Sequence, residues 1–236
     1  MAISGSKPSW LTFDCYGTLI QWDEGLLQAV QSILANLGSR SIDPAELIEI
    51  YDRHEHALEQ TPPHRPFRVV AGQALALAMR DLNLPYQPSD IEVLTSGISA
   101  MPPFKEVPEA LGALKRLGYK LAVISNTDDD IISGNVAQLG GHIDRVITAE
   151  QAGAYKPARQ VFDFAHAALG VSQADLLHVC ASPHLDLAAA REMRFRCIWV
   201  NRGTKREPLP DYTPDVEVSD LGAVVGILSE CQFAQD

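Results

Sequence analysis

The sequence predicts an α/β protein in which a doubly wound parallel sheet carries an inserted all-helical cap. From residue 108 onward, short apolar runs alternate with segments of helical periodicity, which is typical of parallel strands covered by helices on both faces. One earlier apolar run, residues 10–13, precedes a long helical block. We therefore assign residues 1–21 and 102–236 to a core domain and residues 22–101 to a helical cap domain.

Four helices are predicted in the cap, because apolar residues recur there at helical spacing between breaks rich in proline and glycine. The first helix stops at Gly38, and the second begins at Asp43-Pro44, a capping residue followed by a proline suited to the first turn. The predicted segments are residues 26–37, 43–61, 67–82 and 89–101.

The remainder of the core is predicted to alternate helices and strands. Helices are expected at residues 110–117, 131–139, 159–169, 187–193 and 221–228. Strands are expected at residues 120–124, 145–147, 176–180 and 197–200. The run 10–13 would join these strands in one sheet.

Composition narrows the range of functions. The formal net charge of −11 argues against binding to nucleic acid or to an anionic membrane surface, and no apolar run reaches about 18 residues. The N-terminus lacks the apolar core of a secretory signal, so we expect a cytoplasmic protein. The four cysteines, Cys15, Cys180, Cys197 and Cys231, are far apart in the sequence. Cys15, Cys180 and Cys197 lie in or beside apolar runs and are predicted to be buried free thiols.

Polar side chains follow several predicted strands. Asp14 directly follows the first strand, Ser125 and Asn126 follow the second, and Lys156 comes after the third. Ligands of open α/β sheets bind beyond the carboxyl ends of the strands, so these side chains are candidate site residues. Each also has a structural explanation, because Asp commonly starts turns, Ser and Asn cap helices, and a Lys-Pro pair commonly begins a surface helix.

Other polar residues favour structural roles. The acidic run 128–130 predicts a capped, solvated helix start. His178 lies within a predicted strand and is expected to be packed there.

The segment F-D-C-Y-G-T-L at residues 13–19 resembles the first motif of the haloacid dehalogenase-like hydrolases, which use an aspartate nucleophile. Most members are phosphatases and have Asp-x-Asp at this point, whereas Tyr16 replaces the second acid here. This pattern resembles the dehalogenase branch, which attacks carbon. The resemblance implies that Asp14 is the nucleophile, that Thr18 fixes its carboxylate, and that the backbone at Cys15 and Tyr16 contacts substrate.

The later motifs of that family have counterparts in the same order. The resemblance implies that Ser125 and Asn126 hold the substrate anion and that Lys156 pairs with the nucleophile. In the segment L-H-V-C-A-S-P-H-L-D at residues 177–186, Ser182 and Asp186 match the fourth motif, and Asp186 is the candidate base. His184 lies nearby and is a candidate substrate contact.

The chain departs from both branches of the family. Ala181 stands where phosphatases of the family have a magnesium-binding acid, and Ala181-Ser182-Pro183 replaces the Ser-Ser-Asn of the dehalogenases. Phe162 occupies the place of a dehalogenase tyrosine. The dehalogenase cap supplies an arginine to the leaving halide; the candidates here are Arg53 and His54, for which an ordinary surface charge is the alternative.

Three functional hypotheses follow. The first is a hydrolase in which Asp14 displaces a leaving group from carbon of a small carboxylic acid through an aspartyl ester, without a cofactor. The leaving group is a halide or another group such as a strained ring amine. The second is a magnesium-dependent phosphatase acting on a small phosphomonoester, and the third is a non-catalytic binding protein with the same fold. Members of the family often form homodimers, so a homodimer is possible.

Overall fold

The structure is a computed structural model that describes residues 3, 5–39, 41–204, 206–231 and 233. In this part of the chain, six strands form one sheet in the order β3-β2-β1-β4-β5-β6. The strands are β1 (Trp10–Phe13), β2 (Lys120–Ser125), β3 (Arg145–Thr148), β4 (Leu176–Cys180), β5 (Cys197–Val200) and β6 (Val216–Val218). All neighbouring pairs are parallel, which confirms the predicted α/β fold class.

Strand β1 occupies the centre of the sheet between β2 and β4. All four of its residues are buried, as expected for a strand covered on both faces. The chain extends from β1 to β2 and β3 on one side and then crosses to β4, β5 and β6 on the other. The carboxyl end of β1 therefore lies where the direction of winding changes, which is where open α/β sheets bind their ligands.

Helices cover both faces of the sheet. The core helices are α5 (Val107–Arg116), α6 (Asp129–Val136), α7 (Ala149–Ala152), α8 (Arg159–Leu169), α9 (Ala188–Met193) and α10 (Leu221–Glu230). Two short elements, α7 and β6, are absent from the prediction. Helix α7 has four residues and β6 has three, too few to show a period in the sequence.

The cap consists of α1 (Trp22–Asn36), α2 (Pro44–Glu59), α3 (Phe67–Asp81) and α4 (Pro88–Ala100). All four helices fall within residues 22–101, although the division into two domains stays a prediction. Helix α1 packs against α2 and α4, and α2 packs against α3. The predicted cap at the start of α2 is present, since the Asp43 side chain accepts the backbone N–H of Ala45 at 2.9 Å.

The core holds the first turn of α3 through Asp128. Its carboxylate accepts the backbone N–H groups of Phe67 at 2.7 Å and Arg68 at 2.8 Å. These groups have no partner within α3 because they lie in its first turn. Asp128 is only 5% exposed, so the prediction of a solvated acidic run was wrong at this position. Asp130 is exposed and pairs with the Arg68 guanidinium at 2.8 Å.

The C-terminal end of α4 is also tied to the core. The side-chain amide of Asn135 donates to the carbonyl groups of Ile98 and Met101 at 2.8 and 3.1 Å. Its oxygen accepts the Tyr16 hydroxyl at 3.0 Å. Tyr16, two residues beyond Asp14, therefore takes part in the contact that fixes α4.

Among the described residues, no helix combines the length and apolar character needed to span a membrane. The four cysteines are free thiols, as predicted for Cys15, Cys180 and Cys197. Cys15, Cys180 and Cys197 are buried, whereas Cys231 is half-buried.

Candidate active site

Asp14 lies immediately after β1 and both of its carboxylate oxygens are hydrogen bonded. Oδ2 accepts the Thr18 hydroxyl at 2.6 Å, and Oδ1 accepts from Lys156 Nζ at 2.8 Å. The Thr18 oxygen in turn accepts the backbone N–H of Ala181 at 2.8 Å. Gly17 has φ of +82°, a conformation that favours glycine, and it allows the chain to turn so that Thr18 faces Asp14.

Lys156 joins Asp14 to Asp186. Its ammonium lies 2.8 Å from Asp186 Oδ1, 2.8 Å from Asp14 Oδ1 and 3.2 Å from the carbonyl oxygen of Ile124. These three acceptors use the three donors of an ammonium group. Lys156 and Asp186 are fully buried, and a buried charge is stable only when it is paired in this way.

The three charged groups shift one another's pKa values. Burial raises the pKa of Asp14 above its ordinary value, and the charge of Asp186 adds to this effect, whereas Lys156 opposes it. Burial would lower the pKa of Lys156, but Asp14 and Asp186 together raise it. Burial would likewise raise the pKa of Asp186, but Lys156 and His178 hold it below its ordinary value. The lysine therefore stays charged between the two carboxyl groups.

His178 belongs to this network, although the sequence suggested only a packed residue. Its Nε2 lies 2.9 Å from Asp186 Oδ1, and its Nδ1 lies 2.8 Å from the Thr12 hydroxyl. His178 is buried, and its ring is in edge contact with Phe162 and Phe195, so it is packed as well as hydrogen bonded. Thr12 and His178 are register partners on β1 and β4, and that pairing is the signal that could have linked them.

Asp14 and Lys156 border a cavity of about 300 Å³ between the core and the cap. Tyr16, Ser182 and His184 also line it, in agreement with their predicted positions. The full lining consists of Asp14, Tyr16, Trp22, Asp52, Glu55, His56, Glu59, Phe67, Ser125, Asn126, Lys156, Ser182, His184, Leu185 and Arg206. Asp186 is not part of this lining; its Oδ1 is bonded, and its Oδ2 has no partner among the described residues.

Ser125 and Asn126 both reach the cavity but differ in their contacts. The Ser125 hydroxyl is buried and has no hydrogen-bond partner among the described residues. The Asn126 side chain accepts the Lys156 backbone N–H at 2.7 Å and donates to Glu59 Oε2 at 3.1 Å. Asn126 therefore positions Lys156 and contacts the cap, while Ser125 remains available to a ligand.

Two of the predicted contacts lie elsewhere. The Arg53 side chain is 65% exposed and pairs with Glu49, and His54 Nε2 pairs with Asp81 at 2.8 Å. Neither lines the cavity, so the expected leaving-group contact from Arg53 or His54 was wrong. The Cys15 side chain lies in the hydrophobic core, which leaves the predicted contact between its backbone N–H and substrate as a prediction.

The side of α2 that faces the cavity carries different residues, which sequence reasoning missed. They are Asp52, Glu55, His56 and Glu59, spaced as one helical face. Leu47 and Tyr51 are buried on the same helix. Glu55 and Glu59 continue their four-residue spacing, and this continuation is a signal that could have identified them.

The donors near Asp14 do not fit the magnesium site of a phosphatase. Tyr16 and Ala181 stand at the two positions expected to supply further acids, and the Lys156 ammonium lies between Asp14 and Asp186. His178, Cys180 and Asp186 have potential ligand atoms within 4.8 Å of one another. However, only Asp186 in that set offers an oxygen ligand, whereas magnesium requires several oxygen ligands.

Comparison with known proteins gives a consistent assignment. A family described as haloacid dehalogenase-like hydrolase matches residues 9–194. An (S)-2-haloacid dehalogenase from Pseudomonas sp. (strain YL) is 29% identical over 224 residues, which cover 91% of this chain and 92% of that protein. A phosphoserine phosphatase from Thermus thermophilus is 31% identical over 125 residues, covering 52% of this chain and 50% of that protein.

Solved structures show the same fold. An L-2-haloacid dehalogenase from Xanthobacter autotrophicus with chloropropionic acid covalently bound has a TM-score of 0.82 at 18% identity, covering 95% of this chain and 100% of that one. Another L-2-haloacid dehalogenase has a TM-score of 0.82 at 22% identity, covering 97% of this chain and 100% of that one.

Proposed function

This chain belongs to the haloacid dehalogenase-like hydrolases, and we propose that it displaces a leaving group from carbon of a small carboxylic acid through an ester of Asp14. The proposal is supported by the similar (S)-2-haloacid dehalogenases and by the position of Asp14 against the cavity. Halide is the proposed leaving group. A strained ring amine is the alternative, because the same displacement would open the ring.

In the first step, an oxygen of Asp14 forms a bond to the substrate carbon while the bond from that carbon to the leaving group breaks. The electron pair leaves with the halide, so the products are halide and a neutral ester. Thr18 and Lys156 hold the carboxylate in a fixed orientation. The Ser125 hydroxyl is the proposed donor to the substrate carboxylate, and Ser182 and His184 also line the cavity.

In the second step, water attacks the ester carbonyl of Asp14. The C–O bond within the ester breaks, the 2-hydroxy acid departs, and a proton is released as the Asp14 carboxylate is restored. Asp186 is the proposed water-orienting group or base, because its buried Oδ2 has no other partner among the described residues. Through its Oδ1 it also positions Lys156.

One observation carries the proposal: a buried ammonium lies 2.8 Å from each of two carboxylates, one of which borders the cavity. An ammonium at this position keeps Asp14 in the ionised form that a nucleophile requires. It also supplies a positive charge to both carboxylates without a metal ion. We therefore propose a reaction that needs no metal ion.

A product-release experiment tests this proposal. Purified protein is incubated with (S)-2-chloropropionate and, separately, with a panel of small phosphomonoesters, each with added magnesium or with a chelator. We expect chloride release that is unchanged by the chelator and is abolished in Asp14→Asn. Phosphate release that requires magnesium, without chloride release, would favour the phosphatase instead.

The phosphatase remains the second candidate because the similar proteins include a phosphoserine phosphatase. The substitutions at Tyr16 and Ala181 and the pairing of Lys156 place it second. A cytoplasmic location and a homodimeric state rest on the sequence and stay predictions.

A further inference from the structure

The cap side of the cavity carries acidic side chains, although the proposed substrate is an anion that they would repel when ionised. Asp52, Glu55 and Glu59 all line it, and none of them forms an ion pair with any residue in the described part of the chain. The two permanently charged cations of the lining are already paired. Lys156 contacts Asp14 and Asp186, and Arg206 contacts Asp23 at 2.7 Å.

Glu55 and Glu59 are half-buried and have only neutral hydrogen-bond partners. Glu55 Oε1 accepts the Tyr51 hydroxyl at 2.8 Å, and Glu59 Oε2 accepts the Asn126 amide at 3.1 Å. Burial, with the charge of Asp52, raises the pKa of Glu55 to about 8. Burial, together with Glu55, also raises the pKa of Glu59. Ionising these groups in the empty cavity is therefore unfavourable, and a bound cation would offset that cost.

A second observation, on the core side of the cavity, points independently to a polar ligand. The Ser125 side chain is 1% exposed, lines the same cavity and has no hydrogen-bond partner among the described residues. A buried hydroxyl without a partner is costly. The core side of the cavity thus offers a hydrogen-bond donor to a ligand, and the cap side offers acceptors.

We propose that the cavity selects a zwitterionic substrate whose carboxylate binds on the Ser125 side and whose ammonium group binds between Glu55 and Glu59. Asp52, an exposed residue on the same helical face that also lines the cavity, adds to the attraction. An organic ammonium fits better than a metal ion, because the three acids do not form a compact ligand cluster in the described part of the chain. This inference rests on the proposed function and narrows its substrate class.

The chemistry at Asp14 is unchanged by the ammonium group. With 4-amino-2-chlorobutanoate, an Asp14 oxygen would bond to C2 as the C2–Cl bond breaks and chloride leaves with the electron pair. Water would then hydrolyse the ester, giving 4-amino-2-hydroxybutanoate, the Asp14 carboxylate and a proton. The ammonium takes no part in either step and serves only to position the substrate.

Binding of two unreactive probes tests the selectivity without any turnover. 4-Aminobutanoate and pentanoate differ by an ammonium in place of a terminal methyl, and calorimetry on the wild-type protein measures the affinity for each. We expect 4-aminobutanoate to bind at least about tenfold more tightly, which is about 1.4 kcal/mol. Equal affinity, tighter binding of pentanoate, or failure of both probes to bind would overturn the proposal.

Matched variants assign the preference to the cap acids. Glu55→Gln/Glu59→Gln keeps both hydrogen-bond acceptors and is expected to remove the preference for 4-aminobutanoate. Glu49→Gln is the control for one lost charge, because Glu49 is on the same helix but is 80% exposed and outside the cavity. If the double variant is unfolded, the single variants Glu55→Gln and Glu59→Gln replace it, and each is expected to reduce the preference. A preference that survives these substitutions would contradict the assignment.

Turnover measurements distinguish a failure of this inference from a failure of the proposed function. Chloride release is measured from (S)-4-amino-2-chlorobutanoate and from (S)-2-chloropentanoate, and we expect a higher kcat/KM for the amino compound. If 4-aminobutanoate binds selectively but neither chloro acid releases chloride, the cation selectivity stands and the proposed displacement fails. If both react equally well, the displacement stands and the selectivity fails.

Discussion

At the scale of single residues, Lys156 is the group on which the site depends. Its ammonium is fully buried and contacts Asp14, Asp186 and the Ile124 carbonyl. Removing one partner of a buried ion pair leaves an uncompensated charge, at a cost of about 3–5 kcal/mol. In this site two carboxylates would be left facing each other.

We therefore expect Lys156→Met to lower the free energy of unfolding by about 3–5 kcal/mol and to abolish turnover. Urea unfolding measures the first effect and product release the second. Lys115→Met is the matched control, because Lys115 pairs with Asp144 in a more exposed position and should contribute about 1 kcal/mol or less. Equal losses in the two variants would show that the buried network has no special role.

The pH dependence of activity follows from the state of Asp14. Burial raises its pKa above the ordinary value of 3.8, and only the carboxylate form can attack carbon. As the pH falls through this raised pKa, Asp14 gains a proton and the rate declines. We expect the acidic limb of kcat/KM to lie above pH 3.8, with circular dichroism confirming that the fold persists. Full activity below that pH in folded protein would contradict this assignment.

At the scale of secondary-structure elements, the cap is attached to the core through the ends of its helices. Asp128 caps α3 with two hydrogen bonds, and Asn135 binds the C-terminal end of α4. Hydrogen bonds from a buried carboxylate to first-turn N–H groups combine capping with the attraction of the helix dipole. These contacts hold the cap over Asp14 together with the hydrogen bond from Asn126 to Glu59 at the cavity.

Asp128→Ala is expected to lower the free energy of unfolding by about 1–3 kcal/mol, because it leaves two backbone N–H groups without their partner. Chemical denaturation measures this change. Asp130→Ala is the control, because Asp130 makes an exposed ion pair with Arg68 and its loss should cost about 1 kcal/mol or less. A larger loss at Asp130 than at Asp128 would rule out capping as the source of stability.

The helices and strands also show how much of the fold could be predicted from the sequence. The predicted bounds of α8, β4 and β5 agree with the structure, because strong apolar periods end there at clear breaks. Helix α2 was predicted correctly as an element, but the side that faces the cavity was not. Arg53 and His54 point elsewhere, whereas Glu55 and Glu59 line the cavity. Hydrophobic periodicity locates a helix in the sequence, but only tertiary packing determines which side of that helix faces the cavity.

At the scale of the whole molecule, parallel strands explain why so much of the core side of the site was predictable. The carboxyl ends of β1, β2, β3 and β4 lie at one edge of the sheet, so the polar residues that follow them are expected to lie close together. Asp14, Thr18 and Lys156 meet there as expected. His178 was missed as a hydrogen-bonding member because its link to Thr12 depends on strand register.

The contribution of cap residues to the site depends on long-range packing and was therefore harder to predict from the sequence. The network from His178 through Asp186 and Lys156 to Asp14 belongs to the core, whereas the acids of α2 approach it from the inserted segment. The core thus supplies the proposed chemistry and the cap the proposed selectivity. On these proposals, substitutions in α2 would change substrate preference without any change at Asp14.

The central claim is that Asp14 becomes covalently bound to substrate and is released by water attacking its own carbonyl. The most direct measurement is a single turnover in water enriched with heavy oxygen. The enzyme is in excess over whichever chloro acid proves to be a substrate, and mass spectrometry then analyses the peptide that contains Asp14. We predict one heavy oxygen in that peptide, none in the peptide that contains Asp186, and none in the first molecule of hydroxy acid. Heavy oxygen in the product, with Asp14 unlabelled, would mean that water attacks the substrate directly and would contradict the account.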